Sequence, residues 1–148
     1  MIDLSQPDLT QYPPRGPRVR LGGCVHLPRL LDKARAFIAG KNGEYHYDCP
    51  LDEMLLEFLD IDSDELLAEV KKGGSDTQML AWVLAKTKRT PFEISSWSAW
   101  IMARGPGAAK GHENFGATIK ELAPEREDIQ TIFDRLDLDD YATFGGKG

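Results

Sequence analysis

The sequence predicts an all-α protein, a compact single-domain bundle of about six to seven short helices with an extended N-terminal arm. Apolar residues recur at helical spacing along most of the 148-residue chain. Several helix starts are marked separately by a proline in the first turn or by a capping box. The alternating pattern of a half-buried strand is almost absent. Agreement between these independent signals is what predicts the fold class.

The first residues predict an arm packed on the body. Three prolines at positions 13, 14 and 17 favour extended backbone over helix. Apolar side chains along the arm are expected to fix it to the core: Leu4, Leu9, Tyr12 and Val19. We expect an arm over residues 1–20, a helical domain over 21–140 and a flexible, glycine-rich tail over 141–148, with fraying from Asp137.

The first two helices both open at a proline. Pro28 predicts the start of the first helix and Gly40 its end. Its predicted buried face consists of Leu27, Leu30, Leu31, Ala34 and Ile38. Residues 44–48 are polar and aromatic, and we expect them to be extended or turned. Pro50 predicts the start of the second helix, with Asp48 as a candidate cap.

Capping boxes predict the next three helices. The box residues are Asp62 with Glu65, Ser75 with Gln78, and Thr90 with Glu93. Ile94, Trp97 and Ile101 are expected to face inward, whereas Trp82 or Trp100 would become an interface candidate if exposed. Residues 108–123 predict a short sixth helix. A last helix is expected from Pro124, because the acidic residues that follow suit a helix N-terminus.

The charge distribution limits the classes of partner. The net charge is −6, but residues 1–45 carry seven Lys or Arg and only four Asp or Glu. We expect this basic part to pack against the acidic remainder. An acidic protein is a poor candidate for nonspecific nucleic-acid binding. The sequence shows no apolar run long enough for a membrane span and no secretory leader, so it predicts a cytoplasmic protein with free thiols at Cys24 and Cys49.

The first candidate site is an anion site just before the first helix. Arg15, Arg18 and Arg20 precede Gly22-Gly23, and Arg29 falls in the first helical turn. Glycine amides and a helix N-terminus together favour a phosphate or carboxylate. The alternative is that the arginines pair with acidic side chains of the body and the glycines only turn the chain.

Two further clusters suggest other chemistry. Two sulfurs and two imidazoles offer the donor types of tetrahedral zinc, at Cys24, His26, His46 and Cys49. Their spacing is nonspecific and cysteines are often buried without any metal, so we predict no metal and no cofactor. An acid–base cluster is formed by Glu44, Tyr45, His46, Tyr47, Asp48 and Asp52. In extended backbone Glu44, His46 and Asp48 would share one face. The alternative is a cap at Asp48 with packed tyrosines.

A long stretch resembles a known family. The residues concerned are LGGCVHLPRLLDKARAFIAGKNGEYHYDCPLDEMLLEFLDID with Pro17-Arg18 before them, then Gly74-Ser75-Asp76, Lys88-Arg89-Thr90-Pro91, Asp128-Ile129, Phe133-Asp134 and Leu136-Asp137. Over roughly residues 8–140 the chain is similar to the bacterial family known as domain of unknown function 5069. The resemblance implies one compact domain and no assigned activity, cofactor or partner.

These observations favour a non-catalytic binding or interaction module with a small anionic ligand. The predicted ligand-binding residues are Arg18, Gly22, Gly23, His26, Arg29, Glu44, Tyr45, His46 and Asp48. One alternative is a small cytoplasmic enzyme that uses His46 with Glu44 or Asp48. The other is a protein that self-associates through an aromatic helix face as a homo-oligomer.

Overall fold

A computed structural model describes residues 3–145, and over this range seven helices carry the fold. Two short antiparallel strands precede them, with Arg20 opposite Val25 and Leu21 opposite Cys24. The strands are β1 (Arg20–Leu21) and β2 (Cys24–Val25), and the helices are α1 (Leu27–Ile38), α2 (Pro50–Leu59), α3 (Ser63–Val70), α4 (Asp76–Lys86), α5 (Pro91–Ala103), α6 (Ala109–Leu122) and α7 (Ile132–Thr143). The predicted all-α class is therefore confirmed.

Helix α1 lies at the centre of the molecule. Ten consecutive residues, 27–36, are buried, so the helix is covered on all sides rather than along the single face predicted. Its apolar side chains join those of α2, α3 and α4 in the largest core cluster. Ile38, predicted to be buried, is 39% exposed at the end of the helix. Since α1 also carries Arg29, Asp32, Lys33 and Arg35, four charged side chains are buried with it.

The arm packs on this body as predicted. Leu9 is buried and its amide donates to the carbonyl of Lys41 (2.8 Å), whereas Leu4 and Val19 are exposed and do not fix the arm. Arg15 reaches both Asp32 (2.9 Å) and Asp76 (2.7 Å). The pair with Asp76, together with pairs from Arg18, Arg29 and Arg35 to later aspartates, joins the basic first third of the chain to the acidic remainder.

The helix starts follow the predicted local chemistry with two exceptions. Ser75 and Thr90 cap α4 and α5 as expected. Cys49, and not Asp48, occupies the cap position of α2, because Asp48 has a positive φ of 67°. The start of the last helix was also predicted wrongly. Helix α7 begins at Ile132 behind a capping box of Thr131 and Asp134, and it continues regularly to Thr143, past the predicted fraying at Asp137.

Candidate functional site

A cleft opens beside the first half of α1. Its volume is about 340 Å³, which lies within the range of small-molecule pockets. Its walls are α1, the loop over residues 44–49, the start of α2, the end of α5 and the first turns of α7. The lining residues are His26, Arg29, Lys33, Glu44, Tyr45, His46, Cys49, Pro50, Leu51, Met54, Arg104, Ile132, Arg135, Leu136 and Asp139.

Three polar residues, the cap residue of α1 and two residues within the helix, reach this cleft because of their spacing. His26, Arg29 and Lys33 are separated by three and then four positions, and such residues share one face of a helix. All three are at most 4% exposed. Buried polar and charged groups need partners, and the neighbouring helices supply them.

A buried carboxylate links His26 to Lys33. Asp52, in the first turn of α2, is fully buried. One of its oxygens, Oδ1, bonds Nε2 of His26 at 2.7 Å, and the other, Oδ2, accepts from Nζ of Lys33 at 2.6 Å. The amides of Asp48 and Cys49 also donate to Oδ2. Burial alone would favour the neutral acid, but the contacts with His26 and Lys33 outweigh it and lower the pKa of Asp52 to about 2.

His26 combines burial, strain and an unused nitrogen. It precedes α1 with a φ of 69°, a left-handed conformation that is unusual for histidine. Burial lowers the pKa of its imidazole, more than the contact with Asp52 raises it, so the ring is neutral at pH 7. Nε2 then carries the proton donated to Asp52. The other nitrogen, Nδ1, is buried and has no hydrogen-bond partner among the described residues. It retains a lone pair that can accept a proton.

A second buried pair forms part of the same wall. Both terminal nitrogens of Arg29 donate to the carboxylate of Asp140 in α7, at 2.7 and 3.0 Å. The hydroxyl of Tyr45 donates to Oδ1 of Asp140 at 2.9 Å. Burial and the neighbouring Asp140 raise the pKa of Tyr45, so this phenol remains protonated. These contacts hold the loop over residues 44–49 against α1 and α7.

Two arginines of the cleft lack such partners. Arg104, at the end of α5, lies over the ring of Trp100 and approaches the sulfur of Met54 at 3.4 Å. Arg135 lies on α7 near Asp139. Within residues 3–145, neither guanidinium group has a carboxylate within the 4 Å of an ion pair. Both therefore retain donors for an anion.

Five of the nine predicted ligand-binding residues lie together in this cleft. They are His26, Arg29, Glu44, Tyr45 and His46. Loop residues 44 and 46 are exposed, so their side chains lie at the mouth rather than in the buried network. Turns at residues 43–44 and 47–48 interrupt this segment and no strand forms, and consequently alternation does not place Glu44, His46 and Asp48 on one face.

The other four predicted residues lie outside the cleft. Arg18 pairs with Asp134 and Asp137 on α7. Gly22 and Gly23 have positive φ angles and turn the chain between β1 and β2. The carboxylate of Asp48 accepts from the hydroxyl of Ser63 (3.0 Å), away from the cleft. The predicted anion site thus separates into an ion pair and a hairpin turn.

The thiol and imidazole ligands considered for zinc do not converge. His26, His46 and Cys49 line the cleft, whereas Cys24 is buried in the main core. Over the described residues, no group of three or more His, Cys, Asp or Glu side chains is arranged to hold a metal ion.

Several residues of the cleft were not predicted from the sequence. Lys33 was visible in principle, because its spacing from His26 and Arg29 places it on the same helix face. Asp140, Arg104 and Arg135 carried no such signal, since they lie far along the chain and reach the cleft only through the packing of α5 and α7.

An apolar surface lies elsewhere, along α5. Phe92 is 79% exposed and Trp100 is 51% exposed, so Trp100 meets the condition set for an interface candidate. Phe58 stacks on Trp97 beneath them, with ring centroids 5.3 Å apart. Self-association through this face stays a prediction.

A family model agrees with the resemblance seen in the sequence. The chain belongs to the family described as domain of unknown function (DUF5069), whose model matches residues 11–142. No curated protein matches the chain. None of the described helices has the length and apolar character needed to cross a membrane.

Proposed function

We propose that this member of the DUF5069 family binds a small organic anion, a carboxylate or a phosphate ester, in the cleft beside α1. The observation that carries the proposal is the pair of guanidinium groups, Arg104 and Arg135, without carboxylate partners in the described part of the chain. An arginine left with free donors at a concave surface is suited to bidentate contacts with carboxylate or phosphate oxygens.

The lining of the cleft combines charged and apolar side chains. Arg29 and Lys33 are already paired with Asp140 and Asp52, so across residues 3–145 the unpaired cations of the lining are Arg104 and Arg135, and the lining also contains the carboxylates of Glu44 and Asp139. Apolar side chains complete the walls, including Leu51, Met54, Ile132 and Leu136. A ligand with a charged group and a short carbon skeleton fits this mixture. The cytoplasm, which supplies such metabolites, stays the predicted compartment.

Thermal stability measured with a panel of anions tests this proposal. Phosphate, citrate and short dicarboxylates are compared with chloride at equal ionic strength. A ligand present at a hundredfold excess over its Kd stabilises the folded protein by about 2.7 kcal/mol. We expect Arg104→Gln and Arg135→Gln each to abolish most of the gain. Arg126→Gln is the matched control, because Arg126 is exposed and, among residues 3–145, forms an ion pair with Asp128 alone.

Two results would contradict anion binding. One is a panel in which no anion raises the melting temperature above the chloride value. The other is stabilisation that Arg135→Gln and Arg126→Gln reduce equally, which would reflect general screening of charge rather than a site.

An acid–base enzyme is the second candidate, and the orphaned Nδ1 of His26 favours it. The carboxylate of Asp52 fixes the ring tautomer, which leaves Nδ1 as the unprotonated nitrogen of a histidine that lines the cleft. This differs from the sequence-based alternative, in which His46 was the base. Solvent deuterium exchange into the C–H bonds of anions that stabilise the protein, followed by NMR, tests it. We expect exchange that His26→Asn abolishes and His46→Asn does not.

A further inference from the structure

The two cysteines of this protein occupy opposite environments. Cys24 is 3% exposed in the main core, and burial raises the pKa of its thiol to about 12. Cys49 is half-buried and lines the cleft. Only a thiolate is an effective nucleophile, so Cys24 is expected to be inert in the folded protein. Cys24 can therefore serve as an unreactive internal control for Cys49.

The sulfur of Cys49 has a cationic partner. Nζ of Lys33 lies 3.2 Å from Sγ, close enough for an ammonium to donate to a thiolate. Cys49 also precedes α2, a helix of ten residues, and anions are favoured at a helix N-terminus. Asp52 opposes this effect, because its carboxylate accepts from Lys33 and from the amide of Cys49.

Separate features of the cleft indicate that a ligand comes to this sulfur. His26 lines the same cleft, is 1% exposed and has its Nδ1 without a partner among the described residues. Arg104, at the end of α5, and Arg135, on α7, line the same cleft as Cys49, and Arg104 also approaches Met54 of α2. A small molecule whose acidic group contacts the arginines would therefore occupy the same cleft as Sγ of Cys49.

We propose that Cys49 is the nucleophile of this cleft and that it reacts with small electrophiles carrying a carboxylate or a phosphate. The inference rests on the anion binding proposed above and adds a covalent step to it. Lys33 stabilises the sulfur anion, the two arginines bind the acidic group, and the electrophilic carbon lies between them. The cleft thus selects its electrophile by charge.

Alkylation by iodoacetate models the reaction. The thiol first loses its proton to solvent. An electron pair of the thiolate sulfur then forms the carbon–sulfur bond, while the carbon–iodine bond breaks and iodide leaves with its electron pair. Iodoacetamide reacts by the same displacement but carries no charge, so it reports thiol reactivity without anion recognition.

The experiment compares the two reagents on the reduced full-length protein at pH 7. Peptide mapping by mass spectrometry gives the rate at each cysteine, and the same chain unfolded in urea supplies the reference ratio of iodoacetate to iodoacetamide rates. We expect Cys49 to react, Cys24 to remain unmodified, and the rate ratio at Cys49 to exceed the unfolded reference by about tenfold, in line with electrostatic steering into a charged cleft. Inorganic phosphate should slow the iodoacetate reaction.

Variants separate a selective site from simple exposure. Cys49→Ser should remove all modification of the folded protein. Arg135→Gln should return the rate ratio toward the unfolded reference, whereas Arg126→Gln, which changes the same charge on another surface, should not. Arg135 is partly exposed, so its replacement is not expected to prevent folding.

Two outcomes would overturn the inference. The first is a folded protein in which Cys49 is unmodified. The second is a rate ratio equal to that of the unfolded chain. Either one, combined with arginine-dependent stabilisation by phosphate, would leave the binding function intact and remove only the nucleophile. Selective alkylation without any stabilisation by anions would instead support Cys49 and contradict a stable binding site.

Discussion

Replacing Asp52 by asparagine should be among the most destabilising single changes in this protein. Asp52 is fully buried, and its carboxylate is the ion-pair partner of Lys33 and the hydrogen-bond partner of His26. Asp52→Asn retains the size of the side chain but leaves the ammonium of Lys33 buried without a counter-charge. Removing one member of a buried ion pair costs about 3–5 kcal/mol.

The pKa of Asp52 gives an independent value for part of this cost. Its folded value of about 2 lies below the ordinary 3.8, and this difference corresponds to about 2 kcal/mol of stability at neutral pH. Because the folded pKa is depressed, that contribution is complete above about pH 4 and is lost as the pH falls toward 2. The cost of the mutation is larger than this pKa contribution, because it also includes the unpaired charge of Lys33 and the weakened hydrogen bonds of the amides at the start of α2.

Urea unfolding followed by tryptophan fluorescence measures the free energy of both proteins. Asp128→Asn is the control, since that carboxylate is exposed and such surface pairs contribute about 1 kcal/mol or less. The double variant Asp52→Asn with Lys33→Met should cost less than the two single changes added together, because the stranded charge is gone. If Asp52→Asn costs no more than Asp128→Asn, the buried contacts of Asp52 with His26 and Lys33 do not stabilise the fold.

Two further predictions concern the hairpin and the buried histidine. Gly22→Ala should destabilise the protein more than Gly23→Ala. Both glycines have positive φ, but a Cβ at Gly22 would lie 2.5 Å from Cδ1 of Leu80, whereas one at Gly23 would meet nothing within 4 Å. Equal free energies of unfolding for the two variants would contradict this packing of the turn. Burial lowers the pKa of His26 below its ordinary 6.5. Its contribution to stability is therefore complete above about pH 6.5. Below that pH the histidine of the unfolded chain becomes protonated first, and the free energy of unfolding falls by at most about 1.4 kcal/mol per pH unit. Urea midpoints measured from pH 7.5 to 5.5 should fall less steeply for His26→Asn, which tolerates the left-handed backbone, and an unchanged slope would show that His26 titrates normally.

The sequence predicted those parts of the fold that local chemistry controls. Ser75 and Thr90 mark their helices because a cap satisfies amides only three residues away. The start of α7 was misplaced because acidic residues after Pro124 favour a helix N-terminus, while the capping box at Thr131 carries the same signal with a specific partner. Of these two local signals, the capping box determines where α7 begins, because it satisfies the first amides of the helix by defined hydrogen bonds.

The candidate site was only partly predictable for a different reason. Periodicity shows that one face of α1 is apolar, but it cannot show that other elements cover the remaining faces as well. The partner of Arg29 is Asp140, more than a hundred residues along the chain, and no local pattern connects the two. Prediction from sequence therefore located the α1 side of the cleft and missed the side formed by α5 and α7.

The strongest argument for a functional cleft is that several energetically unfavourable features lie close together beside it. A histidine adopts a left-handed backbone, a lysine and an aspartate are buried beside it, and a ring nitrogen has no partner among the described residues. Apolar residues of similar size would usually make such an interior as stable or more stable. Strain and buried charge gathered beside a cleft, with two arginines free to bind an anion, are what a binding or catalytic site requires, and packing alone does not require them.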